Sequence, residues 1–279
     1  MPDSPARRAA APARAERPVP AHATARPRRR WVAPTMAVAV LLVAWQAVVS
    51  LGVVPSFLLP GPVDVARALV DDAPLLASHA LVTMAEALAG LALGVAAGFL
   101  IACAMERFGP LRRALRPLVT VSQTIPTVAI APLLVLWLGY GMLPKVLLVA
   151  LTTFFPVTVA LAEGFASADP DACDLLRTMG ASRLQVFRYA KLPAAMGSFF
   201  GGLRISVTYA VVGAVVAEWL GGFDGLGVYM TRVRKSYSYD QMFAVIAIIS
   251  ALSLALMAAV DALARLAMPW RRHGRNPQP

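Results

Sequence analysis

Inside the long apolar stretches of this 279-residue chain, a few residues stand out by what they cost. Glu86, Arg204, Glu218 and Asp261 are ionisable, and Gln123, Thr124, Thr127 and Tyr209 are polar, yet each lies in or beside an apolar run. A charge at a bilayer centre costs about 2.5–3.5 kcal/mol on insertion scales, so each such group should face protein or water. Two readings follow. The residues line a path for a polar solute, or they are neutralised locally, by a pair such as Glu86 with Arg204 or by snorkelling to an interface. The placement of Arg204, Glu218 and Asp261 toward segment ends favours local neutralisation, whereas Glu86 favours neither reading.

The sets that make covalent chemistry are missing. No G-x-x-x-x-G-K-[ST] loop occurs, so no P-loop nucleotide site is expected. The segment "GYGMLPKV" has glycines and Lys145, but no glycine adjoins the lysine and no Ser or Thr follows it. The three histidines, His22, His79 and His273, lie in arms or at a segment edge, and no H-E-x-x-H or Cys/His cluster accompanies them. Cys103 sits in an apolar run and Cys173 in a polar loop, which suits packing better than ligation or a disulfide. No catalytic residue, no metal and no cofactor is therefore expected in this chain.

The elements that must hold these residues are membrane spans. The chain is 58% hydrophobic, with a mean hydropathy of +0.66, well above soluble domains. Six runs, 35–54, 79–104, 116–138, 143–162, 197–219 and 243–268, have the length a hydrocarbon core demands of a helix. In the second, Gly90, Gly94 and Gly98 recur at the spacing that lets helix backbones approach closely. The third carries Pro126 and Pro132, and a proline frees a carbonyl and bends a helix. Freed backbone in a membrane is tolerated where it is buried or lines a cavity. Gln123, Thr124, Pro126 and Thr127 are accordingly pore-lining candidates, with a purely structural kink as the competing reading.

Charge sets the expected orientation. Eight arginines precede the first run, and further basic residues follow runs two, four and six. With six spans these regions share one side, which the positive-inside rule makes cytoplasmic, with both termini inside. The loop after run five, holding Arg232, Arg234 and Lys235, falls outside against that trend. The resulting division is a disordered Arg/Pro-rich arm (1–30), a first span with its outer loop (31–77), a core domain (78–268) and a basic tail (269–279). The arm is expected to lie against the anionic leaflet, with membrane lipid as its simplest partner and no nucleic acid needed. A short helix is expected to begin near Pro62 in the outer loop.

The loop 163–196 after run four is the most informative. Asp169 and Pro170 read as an N-cap followed by proline at the first helical position. Leu175, Leu176 and Met179 fall on one helix face, and Gly180 stops the helix by taking a left-handed conformation. Ser182 caps a second helix bearing Leu184 and Phe187, which Pro193 should end. A connector lying on lipid needs neither a glycine joint nor apolar residues in both halves. A docking surface for a soluble partner explains both.

This loop resembles the cytoplasmic signature of bacterial binding-protein-dependent ABC transporter permeases, a pattern of the form EAA…G…LP. Gly180 matches its glycine, Ala181, Ser182 and Arg183 follow it, and Leu192 and Pro193 match the closing pair. "IPTVAIAPLLVLWLGYG", "GLRISVTYAVVGAVVAEWLGG" and "GLGVYM" resemble the nitrate/sulfonate/taurine branch, so the likeness runs from about Pro55 to Ala267. Three departures stand out. The acidic-Ala-Ala of the motif reads Asp174, Leu175 and Leu176; Gly197 stands where many members have proline; and Glu86 stands about where the family often has arginine.

The resemblance implies an all-α, polytopic membrane helix bundle of the type I importer kind, with about six transmembrane helices and a cytoplasmic coupling helix pair. It implies an ATP-driven importer of a small organic solute, of the hydroxymethylpyrimidine or thiamine-precursor type, with sulfonate, taurine or nitrate import by the same machinery as the alternative. It implies a homodimer of permease chains in the bacterial inner membrane. ATP and magnesium would sit on a separate ABC ATPase subunit docked on Asp174, Leu175, Leu176, Gly180, Ala181, Ser182, Arg183, Phe187, Leu192 and Pro193. An extracytoplasmic solute-binding protein would meet Arg232, Arg234 and Lys235. A different class of function stays open beside it, a proton-coupled secondary carrier using Glu86 and Asp261. A membrane enzyme is disfavoured by the missing catalytic sets.

Overall fold

The computed structural model describes residues 29–55, 57–122 and 124–270, which form helices joined by turns and loops, with no strand among them. The chain divides into two compact units, Met1–Ala44 and Trp45–Pro279. The first unit contains, among the described residues, most of helix α1 (Arg29–Ser50), an apolar rod exposing Met36, Val40, Leu41 and Val43.

In the second unit, α2 (Pro62–Asp71) starts at the expected proline. It is followed by α3 (Ala73–Arg107), α4 (Gly109–Ser122), α5 (Thr127–Leu138), α6 (Met142–Ala166), α7 (Pro170–Thr178), α8 (Arg183–Val186), α9 (Leu192–Leu220), α10 (Leu226–Lys235) and α11 (Tyr239–Ala267). Among the described residues five helices are long and apolar enough to cross a membrane, or six if α4 and α5 together form one broken span.

The core is a three-helix layer with α6 between α3 and α9. Small residues make this closeness possible. A Cβ on Gly90 would overlap the Val149 side chain, and one on Gly94 would overlap Thr153. On the other flank a Cβ on Gly202 would come within 2.7 Å of the Pro156 carbonyl. The run Gly90, Gly94, Gly98 thus does in the packing what its spacing suggests, bringing α3 against α6. Ser206 donates to the Thr153 carbonyl at 3.0 Å, adding a buried hydrogen bond between α9 and α6. Trp45, at the end of α1, packs with Val65, Ala68 and Ala244 and tilts against Phe243 at 5.7 Å.

Two expectations are corrected. The run 116–138 is not one kinked helix. It is two helices, α4 and α5, bent by 95°. Pro126 stands at the N-cap of α5, outside the helix, where its missing N–H costs nothing. Pro193 does not end the second loop helix either. The chain turns from α8 through a π-helical segment, Phe187–Lys191, into α9, and Pro193 lies in the first turn of α9. Leu192 N–H reaches back to the Phe187 carbonyl, five residues away, and this wider ladder accommodates the proline.

Candidate functional site

Three features gather the chemistry-bearing residues. The first is a buried polar cluster where α3, α6, α9 and α10 meet. His79, Thr83 and Glu86 follow one another at helical spacing on one face of α3, and all are buried. Three consecutive backbone N–H groups at the start of α10 point at this face and at Glu218. Gly225 N–H donates to His79 Nδ1 at 2.9 Å, Leu226 N–H to Thr83 Oγ1 at 2.8 Å, and Gly227 N–H to Glu218 Oε2 at 2.5 Å. Thr83 in turn donates to Glu218 Oε1 at 2.7 Å.

A helix leaves its first N–H groups without intrahelical partners, and its N-terminal dipole favours a negative group. Side chains from α3 and α9 supply those partners to α10. Gly225, with φ +120°, makes the sharp approach possible, and a Cβ at Gly225 or Gly227 would collide with the Glu218 carboxylate. Beside the cluster, Lys145 of α6 donates to Glu86 Oε1 at 2.6 Å, with both side chains buried. At the far side of α10, the buried Tyr229 hydroxyl donates to Asp72 at 2.8 Å, and Gln241 donates to the same carboxylate at 2.7 Å. Burial and the Asp72 carboxylate push the Tyr229 phenol well above its usual range, so it stays a donor.

The second feature is a surface ion pair between Arg204 of α9 and Asp261 of α11, each about half exposed. The pair of Glu86 with Arg204, one form that local neutralisation could take, does not occur: Glu86 takes Lys145, and Arg204 takes Asp261. Glu86 and Glu218 are enclosed within one chain, so their carboxylates do not present to a surface here. Tyr209 does, at 53% exposure.

The third feature is the element between α6 and α9. The Asp169 carboxylate accepts from Asp171 N–H at 3.0 Å, and Pro170 opens α7. Gly180 has φ +84°, a conformation that favours glycine, and open space lies around its α-carbon. Ser182 and Gln185 form a reciprocal capping box at α8, with Gln185 N–H donating to Ser182 Oγ at 3.3 Å and Ser182 N–H to the Gln185 side chain at 2.7 Å.

The element has a small core of its own: Ala168, Cys173 and Val186, with Leu176, Ala181 and Ala190 against them. The expected apolar faces therefore split. Leu176 turns inward, and Phe187 packs on Phe165 at 5.3 Å. Leu175, Met179, Leu184 and Tyr189 stay exposed, while Asp174 pairs with Arg177 at 2.6 Å. Lys191 bonds Glu106 of α3, which ties the base of the element to the bundle. A groove of 740 Å³ opens between the end of α3 and α8, lined by Glu106, Arg107, Arg183, Leu184, Phe187 and Lys191 among others.

The remaining candidates scatter. Gln123 lies outside the described residues. Thr124 and Pro126 are exposed between α4 and α5, and Thr127 is half-buried at the start of α5. Arg232, Arg234 and Lys235 are placed on the last turn of α10, where cations suit the helix dipole. Arg232 also donates to the Phe223 carbonyl at 2.6 Å. Sequence reasoning did not single out His79, Thr83 or Lys145 as a cluster. The i, i+4, i+7 spacing of His79, Thr83 and Glu86 was the available signal. Among the described residues no group of three or more His, Cys, Asp or Glu could hold a metal ion.

Residues 90–273 match the family described as "Binding-protein-dependent transport system inner membrane component". Over 232 residues the chain is 40% identical to a probable ABC transporter permease protein of Haemophilus influenzae, covering 83% of this chain and 95% of that one. Over 240 residues it is 38% identical to the formylaminopyrimidine transport permease protein ThiX of Halalkalibacterium halodurans, covering 86% of this chain and 96% of that one. Its fold resembles that in a crystal structure of an amino acid ABC transporter with histidines, with a TM-score of 0.57 at 19% identity over 73% of this chain and 97% of that one.

Proposed function

The chain belongs to the family of binding-protein-dependent transport system inner membrane components, and on that premise we propose that it imports a pyrimidine precursor of thiamine or a similar small heterocycle. The chain is a permease subunit of an ABC importer and a multi-pass membrane protein, and its relatives are transport permeases. The name of the relative ThiX supports the heterocyclic cargo.

The observation that carries the coupling mechanism is the element between α6 and α9. It has its own core, a glycine joint and exposed Leu175, Met179, Leu184 and Tyr189. Large apolar side chains held out of both core and span call for a partner surface. An ATPase subunit docks there, carrying the ATP and magnesium that this chain has no motif to hold. Closure of the ATPase pair on ATP pushes Asp174 to Arg183, and the continuous path from α8 through the π segment into α9 transmits the push. Two copies of the chain form the pathway. With the element on the cytoplasmic side, both termini are cytoplasmic, in accord with the basic regions. Arg232, Arg234 and Lys235 then face outward, where a solute-binding protein with a complementary acidic surface meets them.

The test is uptake by proteoliposomes holding the chain with its ATPase and binding protein. Accumulation of a formylaminopyrimidine that requires ATP supports the reading. Accumulation by the chain alone, driven by a proton gradient, contradicts it and favours a secondary carrier. ATP-driven uptake of taurine instead of the pyrimidine overturns only the cargo.

A further inference from the structure

Among the described spans, the one that runs through α9 is the most enclosed, with half of its apolar window buried. Between Gly201 and Val212 it leaves one stripe open: Gly201, Arg204, Ile205, Thr208, Tyr209 and Val212. These positions repeat at three and four residues and form one helix face. A face turned to lipid would be apolar throughout. This one carries a guanidinium, a hydroxyl and a phenol. Arg204 lies about 10 Å along the helix from Gly197, where the apolar run begins, at 1.5 Å per residue, and its guanidinium is held by Asp261 on α11.

The charge on this face is cancelled. Arg204 pairs with Asp261 on the neighbouring α11, and both stay about half exposed, at 51% and 42% of their side chains. Inside the bundle the Lys145 charge is likewise matched by Glu86. An anion crossing the membrane needs a cation whose charge is not already matched, because a neutral pair creates no potential well for it. A flat ring needs something else, an exposed aromatic face to stack on, and Tyr209 offers one.

Resting on the permease reading, we propose that the Arg204–Thr208–Tyr209 stripe is a water-facing wall of the solute pathway, and that Asp261, by neutralising Arg204, fits it to flat solutes without net charge rather than to sulfonate-like anions. Asp261 is then a specificity-determining residue although it lies on a different helix from the stripe.

The test uses the full chain in membrane vesicles with Cys103→Ala and Cys173→Ala, carrying Thr208→Cys. The probes are two small thiol reagents, an anionic sulfonatoethyl and a cationic trimethylammonioethyl methanethiosulfonate. The proposal expects both to label the Thr208→Cys thiol, at rates within about threefold of each other, since the local charge is balanced. Adding Asp261→Asn should raise the anionic-to-cationic rate ratio about tenfold or more, because one full positive charge is then uncompensated nearby. Asp261→Glu should leave the ratio unchanged. Should Asp261→Asn fail to insert, the double variant Arg204→Gln with Asp261→Asn removes both charges and should again show a balanced ratio. Failure of either reagent to label would place the stripe in lipid and overturn the proposal. Disulfide cross-linking between two copies of the Thr208→Cys chain, together with refusal of both reagents by the reduced thiols, would make the stripe a packed seam between copies and overturn it as well. A strong preference for the anionic reagent with the pair intact would overturn the charge argument. Retention of the ATPase on the Cys103→Ala, Cys173→Ala background, compared with the native chain, reports on the permease reading separately, since Arg204, Thr208 and Asp261 lie outside the docking element and Cys173 is buried in its core.

Discussion

The ammonium of Lys145 sits 2.6 Å from the carboxylate of Glu86, and the two side chains are buried together between α6 and α3. A buried pair of this kind adds little net stability over a well-packed apolar pair, but breaking it strands a charge. Lys145→Met should therefore destabilise the protein by about 3–5 kcal/mol, whereas Lys145→Met with Glu86→Leu should recover most of that loss. Thermal unfolding of the purified protein in lipid nanodiscs measures both. A single variant as stable as the double would contradict the pairing.

The capping of α10 by Glu218 gives a second expectation. Gly225→Ala drives a Cβ into the Glu218 carboxylate at a left-handed backbone position. It should cost more than Glu218→Gln, which keeps one acceptor oxygen and loses about 1–3 kcal/mol through one lost buried hydrogen bond. Limited proteolysis at residues 221–225 reads the order: faster cleavage for Gly225→Ala than for Glu218→Gln, and slowest for the native chain.

Tyr229 sets an alkaline limit. Burial and Asp72 raise its phenol above the ordinary value. The folded state thus holds a proton that the unfolded chain releases above about pH 10. The stabilisation is complete below that pH and is lost as pH rises beyond it. Tyr229→Phe should lower stability by about 1 kcal/mol near neutrality, through the lost bond to Asp72, while flattening its fall above pH 10. Unfolding midpoints measured between neutral and alkaline pH show whether the two curves converge.

Gly180 offers a graded series. Its φ of +84° is tolerated by Asn and resisted by β-branched residues, and no neighbour would obstruct a Cβ. Gly180→Asn should insert and carry ATPase nearly as the native chain does. Gly180→Val should lose about 1–2 kcal/mol locally and weaken ATPase retention, with the spans unaffected. Equal retention by both variants would show that the joint's conformation is irrelevant to docking.

Much of this was legible in residue patterns that act locally. Gly90, Gly94 and Gly98 announce a close helix contact by spacing alone, and Asp169, Pro170, Gly180 and Ser182 mark the ends of α7 and α8 because caps depend on a few adjacent residues. What was not legible depends on distant partners. Glu218 meets Thr83 across 135 positions, so its capping role has no local signature. Lys145 is marked in the sequence only by its failure to fit a nucleotide loop, and its partner Glu86 lies 59 positions away. Pro193 misled because proline ends a regular α-helix, and the π segment before it relaxes that rule. Pro126 suggested a kink, but as an N-cap it separates two helices.

On the proposed reading, an ATPase subunit drives this permease by gripping the element between α6 and α9. The most direct measurement is ATPase recovered with the chain carrying Met179→Asp and Leu184→Asp. Both residues are about three-quarters exposed, so the substitutions leave the fold intact. Placing carboxylates in a desolvated apolar contact costs several kcal/mol, so recovery should fall at least about tenfold while membrane insertion stays normal. Undiminished recovery of a functional ATPase by the doubly substituted chain would contradict it.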